Sequence, residues 1–200
     1  MGKKLVVVAV VIAIAAFLGF RAASAPFPSD RTPAGAYLRI AKAIADGDPR
    51  EMFAYLETDA QWACFTIRDA RKKAQERVVA SYPESDQRAY LKAYAEEASA
   101  PDGSDVFAIL AARRGWVARL RKDLSGVARV EIDGPRASVV TARGTRYPFR
   151  VRDNGIWGLT IFTADLVAES ERASRDLDVV VTAAEDYDRA KRTTTPTPSP

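Results

Sequence analysis

The 200-residue sequence predicts an α+β domain, and three patterns along the chain indicate this fold class. From residue 33 to residue 125, apolar residues recur at the three- and four-residue spacing of a helix. From residue 127 to residue 162 they alternate with polar residues at a period of two, and helical spacing returns after residue 163. Helices that are segregated from a run of short strands, rather than alternating with them, are typical of α+β folds.

Before this domain, the N-terminus carries the pattern of a secretory signal. Lys3 and Lys4 precede an unbroken apolar run, Leu5–Phe20, which Arg21 closes. As a helix the run would span about 24 Å, slightly less than the hydrocarbon core of a bilayer, and snorkelling of the flanking cations makes up the difference. We expect residues 1–25 to be a signal anchor or a signal peptide, with residues 5–20 in the membrane.

The residues that follow the leader leave its cleavage open. Ala23-Ser24-Ala25 matches the small-residue pattern of signal peptidase sites, but Pro26 follows directly and fits poorly in an extended protease groove. We therefore favour an uncleaved anchor over cleavage. In either case the basic N-terminal region predicts a domain outside the cytoplasm, periplasmic or extracellular, and a secreted protein if the leader is cleaved.

Local start and stop signals divide the first half of the domain into helices over residues 33–125, after a short tether at residues 26–32. Helix starts are indicated by capping residues, by proline at a first helical position and by capping boxes. These starts are Thr32 with Pro33, Asp48 with Pro49, Thr58, Ser85 and Ser104. The helix that Ser104 caps is expected to continue without a break to Gly126.

The sheet is expected to be a four-stranded antiparallel meander, because consecutive strands are joined by short turns such as Asp133-Gly134. In the third strand, Tyr147 and Phe149 share one face. Arg146 and Arg150 share the other. The expected strands are Val127–Ile132, Arg136–Ala142, Thr145–Arg152 and Ile156–Phe162.

A long helix over residues 164–191, capped by Thr163, is expected to follow the sheet. Its apolar residues follow a four-three spacing, but Ser170 and several alanines weaken the seam. We expect this helix to pack on the protein's own body, and a dimer or a partner helix through it is the alternative. Residues 193–200 are all Thr, Pro and Ser, which predicts a disordered tail.

Short motifs in the sheet and in the first helix resemble those of a known family. They are Asp133-Gly134, Ala137, Val139, Tyr147, Phe149, Val151, Gly155, Trp157 and Leu159, together with Ala43-Ile44-Ala45-Asp46-Gly47-Asp48. Over residues 33–162 this pattern resembles the nuclear-transport-factor-like domains of bacterial envelope proteins, also called SnoaL-like or cystatin-like cone domains. The resemblance implies a curved sheet around helices with a conical apolar pocket. Such folds host isomerases, hydrolases, ligand binders and structural domains.

Composition excludes several classes of chemistry. The sequence contains no His, which excludes His-based triads, His general bases and His metal ligands. Cys64 is the one cysteine and can form neither an internal disulfide nor a zinc cage, and its position between Trp62 and Phe65 indicates a buried thiol. The sequence also lacks a phosphate-binding loop, a dinucleotide fingerprint and a nucleophile elbow. We therefore expect no cofactor, no metal and a non-catalytic role.

Two basic features supply the candidate binding residues. A tryptophan among arginines forms the first, and the arginine face of the third strand forms the second. The residues are Arg114, Trp116, Arg119, Arg146, Arg150 and Arg152. Arginine beside tryptophan suits anionic headgroups or acidic polymers near a membrane. The alternative is a solvated face whose arginines pair with local carboxylates.

These patterns predict a membrane-anchored or exported bacterial envelope protein with a non-catalytic binding or scaffolding domain. Its expected partner is an envelope protein or anionic lipid. No nucleic-acid partner is expected, because residues 22–200 carry 27 Lys and Arg against 26 Asp and Glu and the predicted compartment is outside the cytoplasm.

The alternative function is a small-pocket enzyme resembling the SnoaL or isomerase branch. Its candidate residues are Tyr37, Tyr55, Tyr147 and Asp59. A deep pocket holding a buried Asp or Glu with a raised pKa would favour the enzyme. A filled core with an exposed apolar stripe on the last helix would favour an interaction protein.

Overall fold

The computed structural model describes residues 27–194, which form mixed helix and sheet. The helices are α1 (Pro33–Asp46), a 3-10 helix (Pro49–Tyr55), α2 (Thr58–Ser81), α3 (Glu84–Ala98), α4 (Gly103–Arg113), α5 (Trp116–Asp123) and α6 (Thr163–Thr194). The strands are β1 (Val127–Asp133), β2 (Arg136–Thr141), β3 (Arg146–Val151) and β4 (Trp157–Leu159). The predicted mixed fold, with a four-stranded antiparallel sheet and a long C-terminal helix, is confirmed. The expected N-terminal apolar helix at residues 1–25 lies outside the described residues.

The four strands pair in chain order, each antiparallel to the next. One face of the sheet, the inner face, packs on α1 and buries Tyr147 and Phe149. The opposite, outer face exposes Arg146, Pro148 and Arg150. The predicted division of the third strand between an apolar face and an arginine face is therefore confirmed.

The two edges of the sheet differ. At the β4 edge, Leu56 bridges to Leu159, and the Glu57 N–H donates to the Leu159 carbonyl at 3.1 Å. Gly158 permits this close approach, because a Cβ atom there would lie 2.7 Å from the Glu57 Cα. At the β1 edge, no other element within residues 27–194 pairs with the strand on the side away from β2.

The main core lies between the inner face of the sheet and helices α1, α2 and α4. Tyr37, Phe107 and Phe149 are among its largest fully buried side chains. The rings of Trp116 and Phe162 stack with centroids 4.5 Å apart and join this core. Side chains therefore occupy the space between the sheet and α1, where the family resemblance implies a conical pocket.

A second, smaller core joins α2, α3 and α6. Val78 and Val180 are buried in it. The buried Arg71 ties α2 to α6, since its Nη1 lies 2.6 Å from the Asp176 carboxylate and its guanidinium lies 4.5 Å from the centre of the Tyr94 ring. The apolar seam of α6 thus packs on α2 of the same chain. A dimer through α6 stays a prediction.

The unbroken helix expected from Ser104 to Gly126 is wrong, because the chain forms two helices there. Gly115 adopts φ 67°, a left-handed conformation in which glycine carries no steric penalty, and it separates α4 from α5. After this break, Trp116 and Leu120 are the buried residues of α5.

Other boundaries differ from expectation by a few residues. Asp102 rather than Ser104 caps α4, because its carboxylate accepts the Ser104 N–H at 2.7 Å. The fourth strand ends at Leu159, three residues earlier than expected. Helix α6 begins at Thr163 and extends to Thr194, and residues 195–200 of the expected tail lie outside the described residues.

At its N-terminal end, the described chain lies against the domain. The Asp30 carbonyl accepts the Trp157 N–H at 3.4 Å, and the Arg39 guanidinium lies 5.0 Å from the centre of the Phe27 ring. Within residues 27–194, no helix is both long enough and apolar enough to cross a membrane. The apolar run at residues 5–20 lies outside that range.

Candidate functional site

The six candidate binding residues fall in three places rather than one. Residues from both basic features meet at a small cleft, one residue lies in a larger groove on the outer face, and one lies at a third surface. The cleft has Trp116, Arg119 and Arg146, with Arg114 beside the tryptophan; the groove has Arg150; the third surface has Arg152.

The small cleft, of 220 Å³, lies between α5, the start of β3 and the turn before α6. Trp116 is buried against Phe162, so its ring belongs to the core. Arg146 donates to Glu131 at 3.2 Å. Arg119 is exposed and forms no ion pair within residues 27–194. The tryptophan expected to face a partner here is therefore buried, and the exposed residues of the cleft include Arg119 and Ile161.

Arg114 holds helices together rather than facing a partner. Its guanidinium lies 5.4 Å from the centre of the Trp116 ring, and its Nη2 lies 2.6 Å from the Glu169 carboxylate on α6. The same carboxylate lies 3.9 Å from Arg71 on α2. The alternative of pairing with local carboxylates describes Arg146, which pairs with Glu131, whereas the carboxylate partner of Arg114 lies 55 positions away.

The larger groove, of 680 Å³, runs across the outer face of the sheet. Strands β1, β2 and β3 form its floor, and the starts of α2 and α6 form one side. The lining residues are Glu57, Asp59, Glu131, Ile132, Asp133, Arg136, Ala137, Ser138, Pro148, Phe149, Arg150, Thr160 and Thr163. Its volume falls in the range of small-molecule sites, about 300–1,000 Å³.

Glu57 is the buried charge of this groove, with a side chain only 8% exposed. Its Oε1 accepts from Arg150 Nη1 at 2.8 Å, and its Oε2 accepts from the Thr163 hydroxyl at 2.8 Å. A buried carboxylate needs such partners, because leaving it unpaired would cost several kcal/mol. Glu57 and Thr163 were not among the predicted residues. Glu57 lies 93 positions from Arg150 and 106 positions from Thr163 along the chain, and no local sequence pattern indicates contacts over such distances.

Two arginines stand directly opposite each other on the floor of the groove. Arg136 and Arg150 are partners in the ladder between β2 and β3. Arg150 is paired with Glu57, whereas Arg136 is exposed and forms no ion pair within the described part of the chain. Like charges directly opposite destabilise a sheet, but each of these arginines also has a carboxylate beside it, Glu57 for Arg150 and the β1 ladder partner Asp133 for Arg136. Asp59 and Asp133 also line the groove without an ion pair among residues 27–194, so it offers groups of both signs.

Arg152 lies on a different surface, where its Nη1 donates to the Ala54 carbonyl at 2.7 Å. It lines a shallow cleft of 290 Å³ with Trp62, whose side chain is 65% exposed. Trp62 is the exposed aromatic neighbour of the buried Cys64. The arginine face of the third strand is therefore divided between a groove and a separate cleft.

The residues of the enzyme alternative do not meet in a cavity. Tyr37 and Tyr147 pack together with ring centroids 5.4 Å apart, and the Tyr37 hydroxyl donates to the Ser125 carbonyl at 2.7 Å. The Tyr147 hydroxyl is buried without a partner among the described residues, and burial raises its pKa to about 12. Asp59 is exposed in the first turn of α2, and Tyr55 is half-buried beside Arg39, at 6.0 Å.

Cys64 is fully buried, and burial raises the pKa of its thiol to about 12. The thiol is therefore protonated at neutral pH, which confirms its expected structural character. Among residues 27–194, no three His, Cys, Asp or Glu side chains are grouped so that they could hold a metal ion.

No family model, no curated protein and no solved structure matches this chain. The geometry of the groove is therefore the basis on which a role is proposed.

Proposed function

We propose that the chain is a membrane-anchored or exported envelope protein whose domain binds a ligand without catalysing a reaction, and that the outer-face groove is its binding site. The observation that carries the proposal is the buried Glu57 held by Arg150 and Thr163. This network joins the start of α2, strand β3 and the start of α6. It therefore gives the groove a rigid wall before any ligand arrives.

The same network argues against Glu57 as a general base. A general base must be free to take a proton from the substrate or from a nucleophile. Both oxygens of Glu57 already accept hydrogen bonds within the protein. The deep carboxylate of the groove is thus a positioning group for Arg150.

The ligand class follows from the pair of arginines. Arg150 donates one N–H to Glu57, and its side chain, which lines the groove, remains 47% exposed. Arg136 lies directly opposite it and has no ion pair within residues 27–194. A carboxylate placed between two guanidinium groups would form charge-assisted hydrogen bonds with both. We therefore assign the groove to a ligand that carries a carboxylate group.

A titration with citrate tests this assignment. Full-length protein in mild detergent is titrated calorimetrically at constant ionic strength, with wild type compared with Arg136→Gln. Arg175→Gln, an exposed substitution on α6 outside the groove, is the matched control. We expect saturable binding that is about tenfold weaker in Arg136→Gln, since a hydrogen bond to a charged group contributes about 1.5–3 kcal/mol. Equal binding by both variants, or no saturable binding by wild type, would refute the groove as a carboxylate site.

The leader and the resemblance to nuclear-transport-factor-like domains belong to the same proposal. The apolar run at residues 5–20 would place the domain in the envelope. The resemblance adds a fold class in which binding and structural domains are common, and it leaves the choice of ligand to the site.

A further inference from the structure

The free edge of the sheet is a second surface with directed chemistry. The β4 edge is closed by Leu56 and Glu57, whereas no element within residues 27–194 pairs with the outer side of β1. An uncovered edge presents backbone donors and acceptors to any extended chain that approaches it. A bulge and charged side chains blunt part of this edge, so the question is which residues of β1 stay open to an added strand.

The hydrogen bonds of the sheet establish which residues of β1 direct their backbone groups outward. The Val151 N–H donates to the Pro135 carbonyl at 2.9 Å, so odd-numbered residues of β2 face β3 and even-numbered residues face β1. The β1 partners of the even-numbered residues are Arg129, Glu131 and Asp133, which therefore point their N–H and C=O groups at β2. Alternation leaves the N–H and C=O groups of Val130 and Ile132 directed at the free edge.

Side chains along this edge sort into an apolar row and a charged row. Val130 and Ile132 project on the inner-face side, and Ile132 is 63% exposed. Arg129, Glu131 and Asp133 project on the outer-face side. Asp133 forms no ion pair within the described residues, and Glu131 pairs with Arg129 and Arg146. Over Val130 to Asp133, a strand that covers this edge would meet apolar and acidic positions alternately.

We propose that an extended segment of a partner protein, with alternating apolar and basic side chains, adds to the sheet along β1. Its backbone pairs with Val130 and Ile132, its apolar residues cover Ile132, and its basic residues face Glu131 and Asp133. Recognition by strand addition takes affinity from the backbone and specificity from alternate side chains. This surface does not use Arg136 or Arg150, the arginines of the proposed carboxylate site, although Glu131, Ile132 and Asp133 also line the groove.

A second copy of the chain fits the edge less well. Antiparallel self-pairing about Val130 would place Ile132 opposite Ala128, which is the extra residue of a β-bulge and is out of step with the ladder. Shifting the centre of pairing to Glu131 or to Ile132 would set carboxylates of the two copies against each other. The bulge and the charges therefore disfavour a dimer here but leave Val130 to Asp133 open to a basic strand.

A peptide of alternating sequence tests the proposal directly. Fluorescently labelled acetyl-Lys-Val-Lys-Val-Lys-Val-amide is titrated with the full-length protein in mild detergent, and anisotropy reports binding. The control peptide, acetyl-Lys-Lys-Lys-Val-Val-Val-amide, has the same charge and composition without the alternation. We expect the alternating peptide to bind at least about tenfold more tightly. Equal binding of the two peptides would refute recognition as a strand.

Amide exchange then locates the peptide. We expect the amides of Val130 and Ile132 to exchange at least about tenfold more slowly when the alternating peptide is present, while the Glu131 amide, already in the ladder, changes little. Binding without protection at Val130 and Ile132 would overturn the proposal. Protection of the same amides at high protein concentration without peptide would also overturn it, in favour of a second copy.

The variant Ile132→Pro removes the outward donor without touching the ladder to β2, because the Ile132 N–H points to the free edge. We expect it to bind the alternating peptide at least about tenfold more weakly than wild type. Ile132→Thr keeps the donor and removes most of the apolar contact, so its affinity should lie between the two. If Ile132→Pro does not fold, amide exchange on wild type with the two peptides decides the question. Citrate titration of Arg136→Gln tests the groove through an arginine that the edge does not use, so the two proposals can fail separately.

Discussion

Replacing Gly158 by alanine tests the covered edge of the sheet, on which the groove depends. A Cβ atom at position 158 would lie 2.7 Å from the Glu57 Cα and 2.8 Å from both the Glu57 nitrogen and the Leu56 oxygen. Carbon atoms in contact are normally about 3.5–4.0 Å apart, so the two segments must separate by roughly 1 Å. All three atoms are backbone, so no side chain can rotate away to relieve the clash.

The expected cost combines two effects. Overpacking of this kind costs about 1–3 kcal/mol. Separation also weakens the hydrogen bond from the Glu57 N–H to the Leu159 carbonyl, which contributes about 1 kcal/mol. We expect Gly158→Ala to lower the free energy of unfolding by about 2–4 kcal/mol. For a domain of this size the midpoint of thermal unfolding should fall by roughly 4–16 °C.

Urea unfolding followed by tryptophan fluorescence measures this change, because the neighbouring Trp157 is buried in the native state. Gly126→Ala is the matched control, since a Cβ there meets nothing within 4 Å and its backbone does not require glycine. We expect the control to change stability by less than about 1 kcal/mol, in either direction. If Gly158→Ala is as stable as Gly126→Ala, the contact between β4 and Glu57 is not as close as the structure has it, and the argument fails.

Three further predictions follow from buried polar groups. Tyr147→Phe should be neutral or stabilising by about 1 kcal/mol, because it removes a hydroxyl that has no partner among the described residues. Tyr37→Phe should lower the free energy of unfolding by about 1 kcal/mol, because it loses the hydrogen bond to the Ser125 carbonyl. Urea titrations that rank the two variants in the opposite order would contradict this prediction. Glu57→Gln should lower the free energy of unfolding by about 1–3 kcal/mol. The control Glu171→Gln removes a carboxylate from an exposed pair with Arg175 and should lower it by less than about 0.5 kcal/mol. Equal effects of the two substitutions in urea titrations would show that the groove network is not stabilising. Stability should fall as pH rises from about 9 to about 12, because burial raises the folded-state pKa of Cys64 from 9.0 to about 12 and that of Tyr147 from 10.0 to about 12. The unfolded chain therefore releases these protons at lower pH than the folded chain. A urea midpoint that does not change with pH in this window, or a pH dependence that Cys64→Ala leaves unchanged, would contradict the assignment.

Features that depend on a few neighbouring residues could be predicted from the sequence. The alternation of Tyr147 and Phe149 with Arg146 and Arg150 correctly predicted which face of the third strand is buried. The turn at Gly134 also lies where the sequence predicts it. In contrast, Gly115 was interpreted as the interior of a helix, although glycine after two arginines also matches the end of a helix. Spacing alone did not distinguish the two, because the apolar period continues across the break.

The candidate site was predicted only in part, for a different reason. Arg150 was singled out because of its strand, yet its partners Glu57 and Thr163 lie in other elements. Trp116 was expected to face a partner, but packing against Phe162 places it in the core. Whether an arginine is free or paired depends on residues that are distant along the chain and that the fold brings close. Hydrophobic periodicity within one segment does not indicate which residues these are.

The sequence by itself determined the class of the fold, the order of its elements, the faces of its strands and the absence of histidine chemistry, because each of these depends on composition or on spacing within one segment. Tertiary structure alone decided that the groove lies on the outer face, that Glu57 closes it with Arg150, and that one sheet edge is covered while the other is open. These outcomes depend on how segments about a hundred residues apart pack together. A close approach such as that at Gly158 exists only after the chain has folded.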